Sequence, residues 1–528
     1  MRQAAIVAAL LVWGALASCG GNPPQIVDYS PERGATDVST AAPIRITFDH
    51  DVDKDSVEGR LSLVPATQAS VRWANGHQLL YEHATLAPHT TYEVVLEAGY
   101  TDYAGNAYAL RHRWSFVTEG PPSLAATTPG NNETGVDPAS YLRLEFSRDM
   151  NAASLAGAIS ISPLVAFKVR LDPTDSRRVI VAPDSLLDAA KTYALTINTA
   201  ARDADGNRLA RDRTFAFTTG PIRPLRGWVA FAARRADGTS TGVWIVNDSG
   251  FPRHLVDETV ESFSWSPDGS HLLLQTAGSD WSTFTPGAGS ERLAISATWA
   301  APLASGLGYV FIDHDQTLRR FSPEGSAEMV AANVTQAVVA RNGLRVAYVQ
   351  SVGSNSVIWG YDVALRASYQ LANEAAPVSA VIWAPAGNRI AYLRHDAGAM
   401  TLRVRNLTGA AGTTSVASGD IGRPAWLPDS VHLVFAAGIQ TAQGPMRKAF
   451  LLSVIAPPAS LAPSLGMPSS VPVDVSDPVP SPDGHQLAFV SANQVWIMNA
   501  DGTRPTALTQ FDAESFPYSC EAPIWTRA

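Results

Sequence analysis

Two hydrophobic rhythms divide the chain, and the first has the period of two that marks half-buried strands. From about residue 25 to residue 220, short stretches alternate apolar and polar residues and are broken by Gly, Pro, Asp and Asn. Ile44-Arg45-Ile46-Thr47-Phe48 returns as Leu142-Arg143-Leu144-Glu145-Phe146, and Thr91-Tyr92 as Thr192-Tyr193. The turn stretch Asp102 to Asn106 returns as Asp203 to Asn207, and Phe116-Val117-Thr118 as Phe217-Thr218-Thr219. A repeat of about a hundred residues built this way predicts two tandem antiparallel sandwiches, residues 25–120 and 121–220.

The second rhythm is shorter. Phe263-Ser264-Trp265-Ser266-Pro267-Asp268-Gly269 precedes the apolar run His271 to Gln275. Relatives are Ile382-Trp383-Ala384-Pro385-Ala386-Gly387, Ala425-Trp426-Leu427-Pro428-Asp429-Ser430 and Val479-Pro480-Ser481-Pro482-Asp483-Gly484, each again followed by an apolar run. Each unit reads as strand, tight turn, strand. Ser-Pro-Asp-Gly suits a type I turn, because Pro presets φ at the second position and Gly is favoured at the fourth. Anchors fall at Trp265, Trp299, Val339, Trp383, Trp426, Pro480 and Trp525. Their spacing of roughly 34 to 54 residues suits four-stranded propeller blades. The Pro/Ser-rich stretch from Ala456 to Ser476 explains the longest gap as an inserted loop.

The ends of this region are complementary. Trp228 starts a blade without an innermost strand, and Ala522 to Trp525 is an innermost strand without a blade. Pairing them would close a ring of seven blades and remove its open edge. Six blades would require the unit around Val339 to be an insertion.

These motifs carry two resemblances. The first repeat, over about Pro24 to Gly220, resembles the bacterial Ig-like domain of the type found in the S-layer protein SbsA, which implies spacer or adhesive modules without catalysis. The second, over about Arg226 to Ala528, resembles the propeller of the TolB family with its Trp-Ser-Pro-Asp-Gly repeat. TolB proteins place an α/β domain ahead of the propeller, and Ig-like modules stand there instead, so transport by the Tol system is not implied. The fold class expected is all-β: two tandem Ig-like β-sandwiches, then a β-propeller over 221–528 closed by its C-terminal strand.

The N-terminus reads as an address. Met1-Arg2 and the apolar run Ala4 to Ala17 form a signal-like segment over residues 1–18, too short for a mature span. It ends in Leu16-Ala17-Ser18-Cys19, which resembles the lipobox of bacterial lipoproteins and implies that Cys19 is lipidated, with residues 19–24 as a tether. Gly20 after the Cys resembles a substrate for outer-membrane sorting in a Gram-negative cell. An ordinary secretory signal with an incidental Cys is the competing reading. Several acyl chains on Cys19 would hold the protein at a membrane surface.

Charge changes the picture by exclusion. The formal net charge of −9, with no Lys/Arg-rich tract, argues against nucleic acid as a partner. Two cysteines, Cys19 and Cys520, give no disulfide framework. Cys520 reads as a packed thiol.

Candidate chemistry is sparse. Asp49, Asp51, Asp53 and Asp55 alternate, as Ca²⁺ ligands can. Lys54 and Arg60 fall where a calcium loop needs Gly and an acid, so a solvated acidic strand end is the expectation, with no cofactor. Asp102 and Asp203 are expected to set turns. Gly238-Thr239-Ser240-Thr241-Gly242 fits a nucleophile elbow in letters, but the strand-forming Val243 to Val246 follows where a helix is needed. His271, His432 and His485 recur behind the turns, which speaks for local structure, and Trp244, Trp359 and Trp496 fall on blade strands. No catalytic set, paired zinc ligands or phosphate loop is read. The leading expectation is a monomeric, non-enzymatic envelope lipoprotein whose propeller binds a protein or glycan. The alternatives are a polysaccharide hydrolase or lyase with paired carboxylates at the propeller mouth, and a structural spacer.

Overall fold

The computed structural model describes residues 21–276, 280–409, 412–441, 444–455, 474–509 and 518–526. Cys19 and most of the Ala456 to Ser476 insertion lie outside the described residues.

In the first sandwich, Ile26–Ser30, Ile44–Phe48, Gln78–His83 and Ala69–Trp73 form one sheet, and Leu61–Val64, Thr91–Leu96 and His112–Val117 the other. The second repeats the plan with two four-stranded sheets. The repeated apolar positions are its core. Ile44, Ile46 and Phe48, and their counterparts Leu142, Leu144 and Phe146, are all buried, as are Tyr92, Tyr193, Phe116 and Phe217. Each such side chain contributes roughly 1.5–3 kcal/mol. The two tyrosines recur down to their hydroxyls, which accept from Ala87 N at 3.0 Å and Asp188 N at 3.1 Å.

Two features depart from the purely antiparallel, helix-free expectation. Glu133–Val136 pairs in parallel with Arg213–Thr219, and an isolated parallel bridge, Val38 to Thr118, stands at the equivalent place in the first copy. A short helix also crosses between the sheets in each copy, Lys54–Glu58 and Ala152–Ala158. Neither is visible as periodicity, because one turn of helix needs only one buried residue in four; Val57 and Leu155 supply it.

After residue 228 there are seven sheets among the described residues. Six have four strands, and the sheet of Ala425–Trp426, His432–Thr441 and Gly444–Ser453 has three. Blade 1 combines Val229–Arg235, Ser240–Val246 and Arg253–Val256 with the C-terminal strand Tyr518–Trp525. That strand pairs antiparallel with Val229–Arg235, from Val229 opposite Trp525 to Arg235 opposite Tyr518. Blades 2 to 7 follow in chain order. Their innermost strands are Val260–Trp265, Trp299–Pro302, Val334–Val339, Val378–Trp383, Ala425–Trp426 and Ser476–Pro480.

The turn device is the one expected from sequence. Gly269 N donates to Ser266 O at 2.9 Å and Gly484 N to Ser481 O at 2.9 Å. The Asp at the third position locks it. Asp268 Oδ1 accepts from Ser266 Oγ at 2.6 Å and from Ser270 N at 3.0 Å. Burial raises this carboxyl, but those hydrogen bonds outweigh it and bring its pKa to about 2. The unit after Val339 hides the same turn without its proline, as Ala340-Arg341-Asn342-Gly343, closed by Gly343 N to Ala340 O at 2.8 Å. The second anchor needs correction by three residues: Trp299 begins its strand, and Pro302 ends it just before the turn.

Candidate functional site

The innermost strands converge on a central channel. One cavity of about 560 Å³ is lined by residues of blades 4 to 7 and of the C-terminal strand in blade 1. Its wall is built from the strand ends Val339, Trp383, Trp426, Pro480 and Trp525 and from a proline series that includes Pro385, Pro428, Pro482 and Pro523. Pro385, Pro428 and Pro482 stand at the second position of blade turns, where their fixed φ is wanted, and Pro523 lies on the C-terminal innermost strand, where a missing N–H on the free edge breaks no ladder. A second cavity of about 730 Å³ is lined by the starts of the innermost strands, among them Thr298, Thr335, Gln336 and Ser379, together with His395. Val338 and Arg423 line both. A third, about 430 Å³, lies between blades 1 and 7, beside Asn247, Asp248 and Asp483.

Charged groups in the channel are few among the described residues. Arg341 and Arg423 are exposed guanidinium groups in the first cavity with no ion pair or side-chain hydrogen bond among the described residues. Asp477 is the one carboxylate among the described residues that line the first two cavities. Three indoles at equivalent strand ends differ in how they are satisfied. Trp525 Nε1 donates to Val479 O across the blade boundary at 3.0 Å, whereas Trp383 Nε1 and Trp426 Nε1 are buried without a partner. A channel whose apolar strand ends carry two guanidinium groups that are unpaired among the described residues is suited to holding an anionic group. Glycosidic chemistry uses a carboxylate pair, and the described lining of the first two cavities offers Asp477 alone.

The residues singled out in the sequence are dispersed. Asp49 Oδ1 accepts from Gln25 N at 2.9 Å and pairs with His50 at 2.8 Å, while Asp51 pairs with His77 at 3.1 Å. Asp53 is the N-cap of Lys54–Glu58, and Asp55 lies in that helix's first turn. The stretch is therefore a bend and a helix start, where a strand end was expected. Alternation in sequence converges ligands only if the chain stays extended or loops around the ion, and here it does neither. Asp102 and Asp203 each cap their own turn: Asp102 Oδ1 accepts from Ala104 N and Asn106 N, and Asp203 Oδ1 from Asn207 N.

Ser240 opens a strand, and its Oγ accepts from Gly242 N and Val260 N, each at 3.2 Å. His271, His432 and His485 sit on three different blades. His432 Nδ1 lies 2.5 Å from Asp429 of its own turn. Trp244, Trp359 and Trp496 lie on the third strands of blades 1, 4 and 7 when counted from the channel. Cys520 is buried on the C-terminal strand, and burial raises its thiol to about 12. Sequence reasoning missed Arg341 and Arg423. The available signal was their place, one in the turn behind the Val339 strand and one directly before Pro424-Ala425-Trp426.

Comparison with known proteins agrees with the N-terminal repeat. Residues 21–118 and 119–219 each match the family described as Bacterial Ig-like domain. No curated protein matches the chain. Among solved structures, TolB from Acinetobacter baumannii is 11% identical over 70% of this chain and 83% of its own, with a TM-score of 0.37. An oligogalacturonate lyase in complex with manganese is 13% identical over 55% of this chain and 87% of its own, with a TM-score of 0.40. Likeness that low speaks for neither ligand nor mechanism. Residues 21–219 are thus two tandem bacterial Ig-like domains, and a seven-sheet β-propeller follows them.

Proposed function

We propose that this is a lipid-anchored protein of the bacterial envelope, outer-membrane in a Gram-negative host, in which two Ig-like sandwiches carry a propeller that binds a protein or glycan in its channel. The role is binding, without catalysis. The observation that carries the reading is the cavity of about 560 Å³ in which five innermost strands present Arg341 and Arg423 unpaired. In an acidic protein, two such cations set among apolar walls favour a ligand with a carboxylate or other anionic group. A hydrolase or lyase would need a second carboxylate beside Asp477.

The test is binding of the full chain to immobilised panels of acidic and neutral oligosaccharides and of acidic and neutral peptides. Arg341→Ala with Arg423→Ala is expected to lower affinity for the acidic ligand at least about tenfold, as for loss of charge-assisted hydrogen bonds. No retention on any panel, or retention that ignores both arginines, would refute channel binding. The anchor is tested separately: Cys19→Ser should move the protein from the membrane to the soluble fraction, and continued membrane attachment would sink that assignment. No helix of the described residues is long and apolar enough to cross a membrane.

A further inference from the structure

The sheet that joins the two ends of the propeller is the one the second Ig-like domain touches. Blade 1 alone combines segments nearly three hundred residues apart, as the bond between Trp228 and Thr526 measures directly at |i−j| = 298. Bringing such distant ends together carries a loop-closure entropy that local hairpins escape. Trp228 holds the C-terminal strand end through three bonds with Thr526: N to Oγ1 at 3.2 Å, O from Oγ1 at 3.1 Å, and O from N at 2.9 Å.

The same tryptophan is held from the other side. Its ring lies 5.8 Å from the Arg253 guanidinium and 6.2 Å from the Tyr141 ring. Arg253, fully buried, stacks 4.0 Å from Tyr141 and donates to Ala139 O at 2.8 Å and Ser140 O at 3.0 Å, all in the second Ig-like domain. The Tyr141 hydroxyl reaches back into blade 1, its one proton shared between Asn247 Oδ1 at 3.1 Å and Phe251 O at 3.2 Å. At the outer edge of the same sheet, His254 N donates to Asp184 O at 2.8 Å, and Ser185 bridges His254 in parallel. The Ig-like domain thus covers the free edge of the seam sheet, which would otherwise expose unpaired backbone groups. Through Arg253 and Trp228 it also reaches the innermost strand.

We propose that the second Ig-like domain is a clamp on the propeller's seam: it keeps Tyr518–Trp525 seated against Val229–Arg235, and the wheel opens there when the clamp is released. Because Ala522 to Trp525 also line the channel cavity, the clamp fixes one wall of the ligand site from outside the wheel. The first Ig-like domain has no part in it.

Hydrogen exchange of the full chain tests this, read at the amides of Tyr518–Trp525. Tyr141→Phe removes only the hydroxyl's contact with blade 1 and should speed exchange there about fivefold, in keeping with the loss of one part-buried hydrogen bond shared between two acceptors. Arg253→Met should speed it further. Arg148→Ala, a control in the joint between the two Ig-like domains, should leave it unchanged. If Arg253→Met fails to fold, Tyr141→Phe decides alone. Unchanged exchange at Tyr518–Trp525 in Tyr141→Phe, whether or not the amide of His254 opens, overturns the proposal. So does equal acceleration in the Arg148→Ala control.

Discussion

The molecule has two joints, and they are built from opposite materials. Between the Ig-like domains, one guanidinium serves several acids: Arg148 pairs with Asp37 and with the buried Glu119. Glu119 Oε1 also accepts from Asn207 Nδ2 at 2.9 Å, and Asn207 Oδ1 accepts from Thr40 at 2.9 Å. Between the second Ig-like domain and the propeller, one guanidinium is held directly by neutral groups, two carbonyls and two rings, with Asp137 and Asp184 acting on it from farther off. The first joint can titrate and feel salt. Among the described residues the second has no acid within hydrogen-bonding distance of Arg253, and although burial lowers that group to about 10, it stays charged at neutral pH.

The largest expected difference comes from removing each central arginine. Arg253→Met leaves the carbonyls of Ala139 and Ser140 without a donor and should cost about 3–5 kcal/mol, lowering the melting of the second Ig-like domain and the propeller together. Arg148→Ala, in a joint where the part-buried guanidinium meets one exposed acid and one buried acid, should cost about 1–2 kcal/mol and move only the first Ig-like domain. Equal losses, read by chemical denaturation, would erase the distinction. Next in size is Gly242→Ala in the seam sheet. Gly242 has φ +89°, and an added Cβ would sit 2.0 Å from Val256 O on the strand the clamp grips. About 2–4 kcal/mol is expected, falling on the same unfolding transition as Arg253→Met.

The pH response should be smaller and of opposite sign to the usual acid loss. Burial and the neighbouring Asp205 carboxyl raise Glu119, against the pull of Arg148. A raised acid binds its proton more tightly in the folded protein than in the unfolded chain. Its contribution is therefore present below the unfolded value and fades as pH rises through the raised one. Asp268 works the other way: its value of about 2 gives stability that is complete above the ordinary carboxylate range and lost as pH falls toward 2. Glu119→Gln should flatten the first slope and leave the second. Smallest of all, 1 M NaCl should weaken the Arg148 joint by a few tenths of a kcal/mol and leave the Arg253 joint unmoved.

Most of the architecture was legible because it repeats. Phe48 and Phe146, or Ser266 and Ser481, announce the same local physics twice, and strand alternation makes their partners predictable. Legibility fell where a repeat was disguised: Ala340 to Gly343 makes the blade turn without its proline, and Trp299 drew the anchor three residues early. It failed at the joints. Arg253 in Phe251-Pro252-Arg253-His254 reads as an ordinary polar loop, because nothing local reveals that Tyr141, over a hundred residues earlier, will stack on it. Arg341 and Arg423 were likewise silent, since two exposed arginines acquire meaning only when separate blades bring them to one channel. The short helices were hidden by their length, and Asp53 read as a ligand candidate when its place is a helix N-cap.

The central claim is that the second Ig-like domain belongs mechanically to the wheel, and thermal unfolding of the full chain followed by hydrogen exchange in each domain tests it most directly. The expected result is two transitions: the first Ig-like domain alone, and the second Ig-like domain together with all seven blades, the latter alone shifting in Arg253→Met. A second Ig-like domain that melts apart from the propeller, with Tyr518–Trp525 still protected, would contradict it.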